Sequence, residues 1–121
     1  MKVKIDTKEK FHVITLEEPV LSANMTESIQ ETLLPFLNTS IRNVIVNLEN
    51  VSEIADPAAE SLVTIQQTFY DANSSLVICS LKDQVEKNLD EQGYLKLMNV
   101  TPTESEGWDI IQMEELEREF N

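Results

Sequence analysis

The chain has 121 residues, of which 41% are hydrophobic and 26% charged, a composition typical of one folded domain spanning residues 1–121. Lysine and arginine together number 9 against 22 aspartate and glutamate residues, so the formal net charge is -13. This charge argues against binding to nucleic acids or anionic membranes, because both interactions depend on basic side chains. It would attract a basic protein partner, although it could equally serve only to keep the protein in solution.

The first half of the chain predicts a strand hairpin, a helix and a third strand. Polar and apolar residues alternate over residues 3–5, and residues 11–16 are rich in aromatic and β-branched side chains, so both segments predict strands. A helix is expected over residues 22–37, with Pro35 kinking or ending it. The uninterrupted apolar run over residues 44–48 then indicates a buried strand.

The second half of the chain predicts helix, strand, helix, strand and helix, at residues 57–72, 76–79, 85–92, 97–100 and from 103 to the C-terminus. Gly93 stands where the C-terminal cap of the third helix belongs. Thr103 and Glu106 have the spacing of a capping box that opens the last helix. Two candidate apolar faces share that last helix, one through Trp108 and Ile111 and the other formed by Ile110, Met113, Leu116 and Phe120.

The element order is therefore β-β-α-β-α-β-α-β-α, which predicts an α/β fold. Strands joined through helices run parallel, with right-handed crossovers. The apolar runs over residues 44–48 and 76–79 lack polar alternation, so both are expected at the centre of the sheet. The strand over residues 97–100 is expected at an edge. The product is one mixed β-sheet with helices packed on it.

Residue types that support catalysis are few and scattered. His12, the sole histidine, has no serine or cysteine placed beside it, which favours a structural role on its strand. Cys79, the sole cysteine, ends an apolar run and is expected to be a buried, unreactive thiol. Because Gly93 and Gly107 are the only glycines, neither a P-loop nor a dinucleotide fingerprint can form. We therefore expect no enzyme activity, no cofactor and no metal site.

The cellular location is predicted from what the chain lacks. The N-terminal residues do not contain the apolar core of a signal peptide. No segment approaches the ~20 apolar residues that span a bilayer. We therefore expect a cytoplasmic protein with no direct membrane insertion.

Three phrases follow one another in the centre of the chain: Val51-Ser52-Glu53-Ile54, Ala55-Asp56-Pro57-Ala58 and Leu76-Val77-Ile78-Cys79. Their order and spacing resemble the STAS domain, the family of bacterial anti-sigma factor antagonists and of the cytoplasmic tails of sulfate transporters. In that family a Val-Ser-x-hydrophobic phrase leads into Asp-Ser-Ser-Gly, a helix and a Leu-Val-hydrophobic strand. The likeness continues at residues 21–24, 85–94 and 102–103, so it covers nearly the whole chain. The resemblance implies a STAS-like mixed sheet and a role in binding a regulatory protein partner.

The phosphorylation site of the family is changed in this chain. In the family, the second serine of Asp-Ser-Ser-Gly accepts phosphate from a partner kinase, and phosphorylation switches binding off. Pro57 stands at that position and has no hydroxyl, so this switch cannot operate there. Asp56 either supplies a permanent negative charge near the former switch or simply caps the helix that Pro57 opens. Ser52 and Ser61 are weak alternative candidates for phosphorylation.

The helix after Pro57 predicts a core face and a partner-binding face. The core stripe consists of Ala58, Leu62, Ile65, Phe69 and Ala72. The neighbouring stripe is small or apolar for a surface, and the family meets its partners through this helix and the preceding loop. We therefore expect partner contacts at Asp56, Pro57, Ala59, Glu60, Val63, Gln66 and Tyr70. If the two stripes are exchanged, Val63 and Tyr70 belong to the core instead.

The sequence thus predicts a non-catalytic regulatory module that resembles an anti-sigma factor antagonist but lacks the phosphoacceptor serine. Its partner would be a kinase-like anti-sigma factor or another STAS-containing scaffold. Two alternatives stay open: a small cytoplasmic STAS subunit of a membrane transporter, and a sensor of a small ligand or nucleotide. The absence of a glycine-rich phosphate loop and the charge of -13 argue against the sensor.

Overall fold

The computed structural model describes residues 1–120 and has a five-stranded mixed sheet at its centre. Residues 1–120 contain seven strands in two sheets: β1 (Val3–Thr7), β2 (Phe11–Leu16), β3 (Val20–Leu21), β4 (Asn43–Asn47), β5 (Glu53–Ile54), β6 (Leu76–Cys79) and β7 (Val100–Thr101). The central sheet has the spatial order β1-β2-β4-β6-β7, and β3 pairs with β5 in a small second sheet. Within the central sheet, β1 is antiparallel to β2 and the other neighbours are parallel. The prediction of interior positions for β4 and β6 is therefore confirmed.

Four α-helices connect or follow these strands: α1 (Thr26–Leu33), α2 (Asp56–Asp71), α3 (Asp83–Glu91) and α4 (Glu104–Glu119). Short 3-10 helices lie at Ala23–Met25, Leu34–Asn38 and Leu95–Leu97. The α-helical part of the first helix ends just before Pro35, as its ring requires. The predicted order of major elements is confirmed, and the β3–β5 pair is an addition to it.

Apolar side chains pack against both faces of the central sheet. Ile14 and Val46 face a large core that also contains the buried sides of α1, α2 and α3. Their strand neighbours Val13 and Ile45 face the opposite side and pack with Ile111 of α4. The structure is therefore layered, with three helices on one face of the sheet and α4 alone on the other.

The two candidate faces of α4 are distinguished by burial. Ile111 is fully buried, and the Trp108 ring stacks on Phe11 of β2 with a centroid distance of 5.1 Å and an interplanar angle of 22°. Gly107 brings the helix close to the sheet, since a Cβ there would lie 3.2 Å from Ile45 Cδ1. The stripe through Trp108 and Ile111 is therefore the inner face, and Met113 points outward with 52% of its surface exposed.

The predicted strand over residues 97–100 is wrong in its extent. Residues Leu95–Leu97 form a 3-10 helix, and the edge strand β7 contains only Val100–Thr101. Gln66 of α2 explains the difference, because its Nε2 donates to the Leu97 carbonyl at 3.3 Å and its Oε1 accepts from the Asn99 backbone N–H at 2.7 Å. The Leu97 carbonyl and the Asn99 N–H are therefore bonded to a helix side chain, while the Asn99 carbonyl accepts from the Ile78 N–H of β6 at 2.8 Å.

The capping predictions are partly correct. Ala55, not Asp56, is the N-cap of α2: it is extended (φ -72, ψ 152), and its carbonyl accepts from the Ala59 N–H at 3.0 Å. Asp56 is the first helical residue and no side chain caps this helix, so its predicted capping role is wrong. Thr103 does cap α4, accepting from the Glu106 backbone N–H at 3.2 Å. Gly93 follows α3 at φ 83, as predicted.

His12 and Cys79 are both built into the packing of the sheet. The His12 Nε2 donates to the Ile41 carbonyl at 3.0 Å, and its Nδ1 is hydrogen-bonded to the Thr7 hydroxyl at 2.9 Å. The ring also lies 4.6 Å from that of Phe36. Cys79 is fully buried, and its burial raises the pKa of the thiol above the ordinary value. The expected buried thiol and hydrogen-bonded strand histidine are confirmed.

Candidate functional site

The start of α2 is exposed on a loop whose backbone is fixed. The Ser52 N–H donates to the Pro19 carbonyl at 2.8 Å, and the Ala55 N–H donates to the Leu21 carbonyl at 2.9 Å. These bonds continue the β3–β5 pairing on either side of it. Asp56 and Pro57 follow directly and are both exposed. The loop therefore presents the first helical turn in a defined position instead of letting it move freely.

A groove with an apolar base lies between the start of α2 and α3. Its volume is about 260 Å³, and it is lined by Ile54, Asp56, Val85, Asn88, Leu89, Gln92 and Tyr94. Val85 and Leu89 are buried in the core, whereas Asn88 and Gln92 are exposed at the rim. The groove can accept a side chain that has both apolar and polar parts, and its rim can form hydrogen bonds.

Negative charge collects beside this groove. The pKa of Tyr94 is raised above its ordinary value by partial burial, and further by the carboxylates of Glu60 and Asp56. Both carboxylates are exposed, so a basic group of a partner could reach them. Sequence reasoning missed Tyr94, Asn88 and Gln92 as lining residues. Gly93 could have indicated Tyr94 as a lining residue, because the glycine cap fixes the direction of the chain after α3 and so places Tyr94 beside that helix.

The predicted partner-binding stripe of α2 is only partly a surface. Tyr70 is 56% exposed and Glu60 is also exposed, whereas Val63 is half-buried against the large core. Ala59 is 1% exposed, so its predicted partner contact is wrong. Gln66 is half-buried and its amide is used by the Leu97–Asn99 backbone. The helix packs against α1 and this backbone segment as well as the sheet, which widens its buried face beyond one stripe.

The two serines that are alternative candidates for phosphorylation differ in exposure to solvent. Ser52 is exposed, and its hydroxyl accepts from Lys82 Nζ at 3.1 Å. Ser61 is 4% exposed, and its buried Oγ has no hydrogen-bond partner. A kinase could therefore reach Ser52 without unfolding α2, but not Ser61.

Residues 1–120 contain neither a candidate metal site nor a candidate membrane-spanning helix. Within them, no three His, Cys, Asp or Glu side chains come together in a group that could hold a metal ion. No helix in the same part of the chain is long and apolar enough to cross a membrane. The site at α2 is an acidic helix start beside a groove with a polar rim.

Comparison with solved structures gives the same fold in regulatory proteins. Protein TM1081 of Thermotoga maritima is 16% identical, with a TM-score of 0.74 over 91% of this chain and 94% of that protein. The anti-sigma factor antagonist SpoIIAA in its unphosphorylated form is 16% identical, with a TM-score of 0.69 over 92% of this chain and 96% of SpoIIAA. The phosphorylated form of Bacillus SpoIIAA gives a TM-score of 0.62 at 15% identity, over 91% of this chain and 99% of that one.

A membrane protein contains a similar domain. The murine anion transporter Slc26a9 is 16% identical, with a TM-score of 0.68 over 86% of this chain. The match takes up 18% of the transporter chain. Among curated protein sequences, none matches this chain. The family model for the STAS domain matches residues 2–107, which include the whole central sheet and the groove beside α2. The chain belongs to the STAS domain family.

Proposed function

We propose that this chain is a cytoplasmic, non-catalytic regulatory module that binds a protein partner at the start of α2. The observation that carries the proposal is the exposed, acidic first turn of α2 beside a groove with a polar rim. A groove of about 260 Å³ that is lined by both apolar and polar residues suits an anchor side chain with an apolar body and a polar end. The carboxylates of Asp56 and Glu60 suit a basic residue next to that anchor. The partner class expected from the family resemblance is a kinase-like anti-sigma factor or another STAS-containing scaffold.

Pro57 gives this module a different regulation from the one that the resemblance implies. The residue stands at the position of the family's phosphoacceptor serine and has no hydroxyl. Binding at α2 is therefore constitutive, or it is regulated elsewhere. Ser52 is the accessible alternative, because a phosphate on its hydroxyl would lie beside the Lys82 ammonium group and form a charge-assisted hydrogen bond.

Incubation with the cognate kinase and ATP, followed by mass spectrometry, tests the regulatory part. We expect partner binding to be unchanged after this treatment. Stoichiometric phosphate on Ser52 together with loss of binding would show that the switch has moved to that residue. The Ser52→Ala variant is the control, because it removes the accessible hydroxyl and leaves the loop backbone bonds in place.

The docking surface is tested with charge-reversed baits. Glu60→Arg reverses a charge beside the groove, and Glu31→Arg makes the same change at an exposed position of α1. Partners captured from the native cytoplasm by the parent are identified, purified and titrated against both variants. We expect Glu60→Arg to lose about tenfold or more in affinity and Glu31→Arg to bind like the parent. Equal affinity of the two variants would place the docking surface elsewhere.

A transporter-associated role is the second candidate, favoured by the similarity to the domain of Slc26a9. In that case the chain would co-purify with a detergent-solubilised permease instead of a soluble partner. A nucleotide sensor would instead show a melting temperature that rises with added nucleotide, since a ligand stabilises the state that it binds.

A further inference from the structure

The side of α4 that faces away from the sheet carries a second apolar surface, which we call the outer stripe: Met113, Leu116 and Phe120. These side chains are 52%, 55% and 81% exposed. At about 100° per residue, their spacing places all three within an arc of roughly 60°. The buried Ile111 lies about half a turn away from this arc, so the outer stripe is not the part of α4 that packs on the sheet.

Carboxylates surround the outer stripe. Asp109, Glu117 and Glu119 are exposed beside or within its arc. Glu114 and Glu115 belong to the inner side, where their Oε2 atoms accept from Asn99 Nδ2 at 3.1 Å and from Asn43 Nδ2 at 3.2 Å. The outer carboxylates thus have no such role in fastening α4 to the sheet.

No ion pair in the described part of the chain involves Asp109 or Glu117, whereas Glu119 lines a cavity together with Lys10, Arg42 and Arg118. The ion pairs among residues 1–120 join Lys2 to Glu17 and Lys8 to Asp6, both in the N-terminal region. Arg118, the only base of α4, donates from Nη1 to the Ser75 hydroxyl at 3.2 Å on the sheet side. The outer stripe is therefore apolar at its centre and negatively charged at its margins.

The apolar residues of the outer stripe and the carboxylates beside it limit which kinds of partner could bind there. A second copy of the chain would place the same carboxylates against one another, which is unfavourable. An anionic membrane surface would be repelled for the same reason. A helix with apolar residues at i, i+3 or i+4 and i+7, and with lysine or arginine on both flanks, would match the stripe and its margins.

We propose that the outer stripe of α4 binds a basic amphipathic helix of a partner protein. This surface is separate from the site at α2, because α2 and α4 lie on opposite faces of the central sheet. The chain then has two docking surfaces and can join two proteins at once, one through the groove and one through α4.

A synthetic peptide provides the probe. It is an 18-residue helix former with leucine at i, i+3 or i+4 and i+7, lysine on both flanks and a fluorescent label, titrated with the purified chain by anisotropy. A second peptide has the same composition, with the leucines shuffled so that they form no common face. We expect the patterned peptide to bind about tenfold more tightly than the shuffled one, because charge alone is common to both.

Two leucine variants of the chain locate the contact. Leu116→Gln removes an apolar side chain of the outer stripe without changing the charge. Leu97→Gln is the matched control, since Leu97 is 53% exposed but lies beside α2. We expect Leu116→Gln to lower the affinity for the patterned peptide about tenfold. Leu97→Gln should leave that affinity within about twofold of the parent value.

Three results would overturn the proposal. Equal binding of the patterned and shuffled peptides would mean that only charge attracts them. Equal affinity of the Leu116→Gln and Leu97→Gln variants would place the contact elsewhere. A parent dimer in sedimentation that Leu116→Gln dissociates would show a second copy on the outer stripe. None of these results depends on the partner at α2, so the proposed function is not at risk in this test.

Discussion

Val63 and Tyr70 lie two turns apart on one side of α2, but their surroundings differ. Val63 is half-buried against the large core and Tyr70 is 56% exposed. We expect Val63→Glu to lower the free energy of unfolding by about 1–3 kcal/mol, because a carboxylate would be placed against apolar neighbours. Tyr70→Glu should change it by no more than about 0.5 kcal/mol. Chemical denaturation of both variants measures the difference, and equal stability would mean that α2 is less covered than its packing indicates.

The same two variants differ in what they can show about partner binding. A Tyr70→Glu protein that keeps its stability but loses its partner would assign Tyr70 to the docking surface. A folded Tyr70→Glu protein that still binds would confine the surface to the first turn of α2 and the groove. Val63→Glu cannot make this distinction, because any loss of binding could come from its lower stability.

Ser61 offers a stability test at a single hydroxyl. Its buried Oγ has no hydrogen-bond partner, whereas the Ser74 hydroxyl donates to the Arg42 carbonyl. We expect Ser61→Ala to raise the free energy of unfolding by about 1 kcal/mol, because it removes an unsatisfied buried polar group. Ser74→Ala should lower it by about 1 kcal/mol, because it removes a satisfied bond. A loss of stability in Ser61→Ala would indicate that the hydroxyl has a partner, such as a buried water.

At the scale of elements, the end of α3 shows a complete capping motif. The Tyr94 N–H donates to the Leu89 carbonyl at 2.9 Å and the Gly93 N–H donates to the Asp90 carbonyl at 3.1 Å. This pair of hydrogen bonds is a Schellman motif, which requires the left-handed φ of 83 that Gly93 adopts. The motif also carries Tyr94 into the groove beside α2.

Gly93→Ala should lower the free energy of unfolding by about 1 kcal/mol through backbone strain. A clash does not contribute, because a Cβ at this position would meet nothing within 4 Å. Gly93→Asn is the control and should cost less, since asparagine tolerates the left-handed conformation better than alanine. Thermal or chemical denaturation checks the order, and equal losses for Ala and Asn would argue against strain as the cause.

The elements that the sequence predicted well are those with a strong local pattern. The apolar runs of β4 and β6 and the turn chemistry of Gly93 and Thr103 act within a few residues, so they could be read directly. The β3–β5 pair could not, because each strand has two residues and forms only when distant segments meet. The extent of β7 depends in the same way on Gln66, which is far away in the chain.

The exposure of several residues of the candidate site could be predicted from the sequence, whereas their role in partner binding stays a prediction. Asp56, Pro57, Glu60 and Tyr70 are exposed as expected, because the outer positions of α2 follow from its period. Ala59 was misassigned because it is buried in the large core with residues of several elements, and no local pattern reports those contacts. The α3 side of the groove was missed because it depends on how two helices lie against each other.

At the scale of the whole molecule, the position of Cys79 on an interior strand makes its thiol a reporter of unfolding. The side chain is fully buried between β4, β7 and the α4 layer. We expect a thiol reagent to label the native protein only as fast as the core opens, and the denatured protein at once. Rapid labelling of the native protein would mean that this core opens locally.

Because the pKa of the Cys79 thiol is raised, we expect the folded protein to lose stability at alkaline pH. Burial raises the pKa of Cys79 in the folded state, so above the ordinary thiol pKa the unfolded chain loses its proton first. The folded state then binds more protons than the unfolded state, and the free energy of unfolding falls as the pH rises. At neutral pH both states keep the proton and the effect is absent. Denaturation at neutral and alkaline pH should show a larger alkaline loss for the parent than for Cys79→Ala.

The stacking of Trp108 on Phe11 makes the two sides of the sheet optically distinguishable. Trp108 is the sole tryptophan, and its ring is packed between α4 and β2. Tyr70 and Tyr94 belong to the layer on the other face. Tryptophan emission therefore reports on the seating of α4, while tyrosine absorbance reports on the α2 and α3 side. If the emission changes before the tyrosine signal during denaturation, the layer formed by α4 separates first and the remaining layers persist without it.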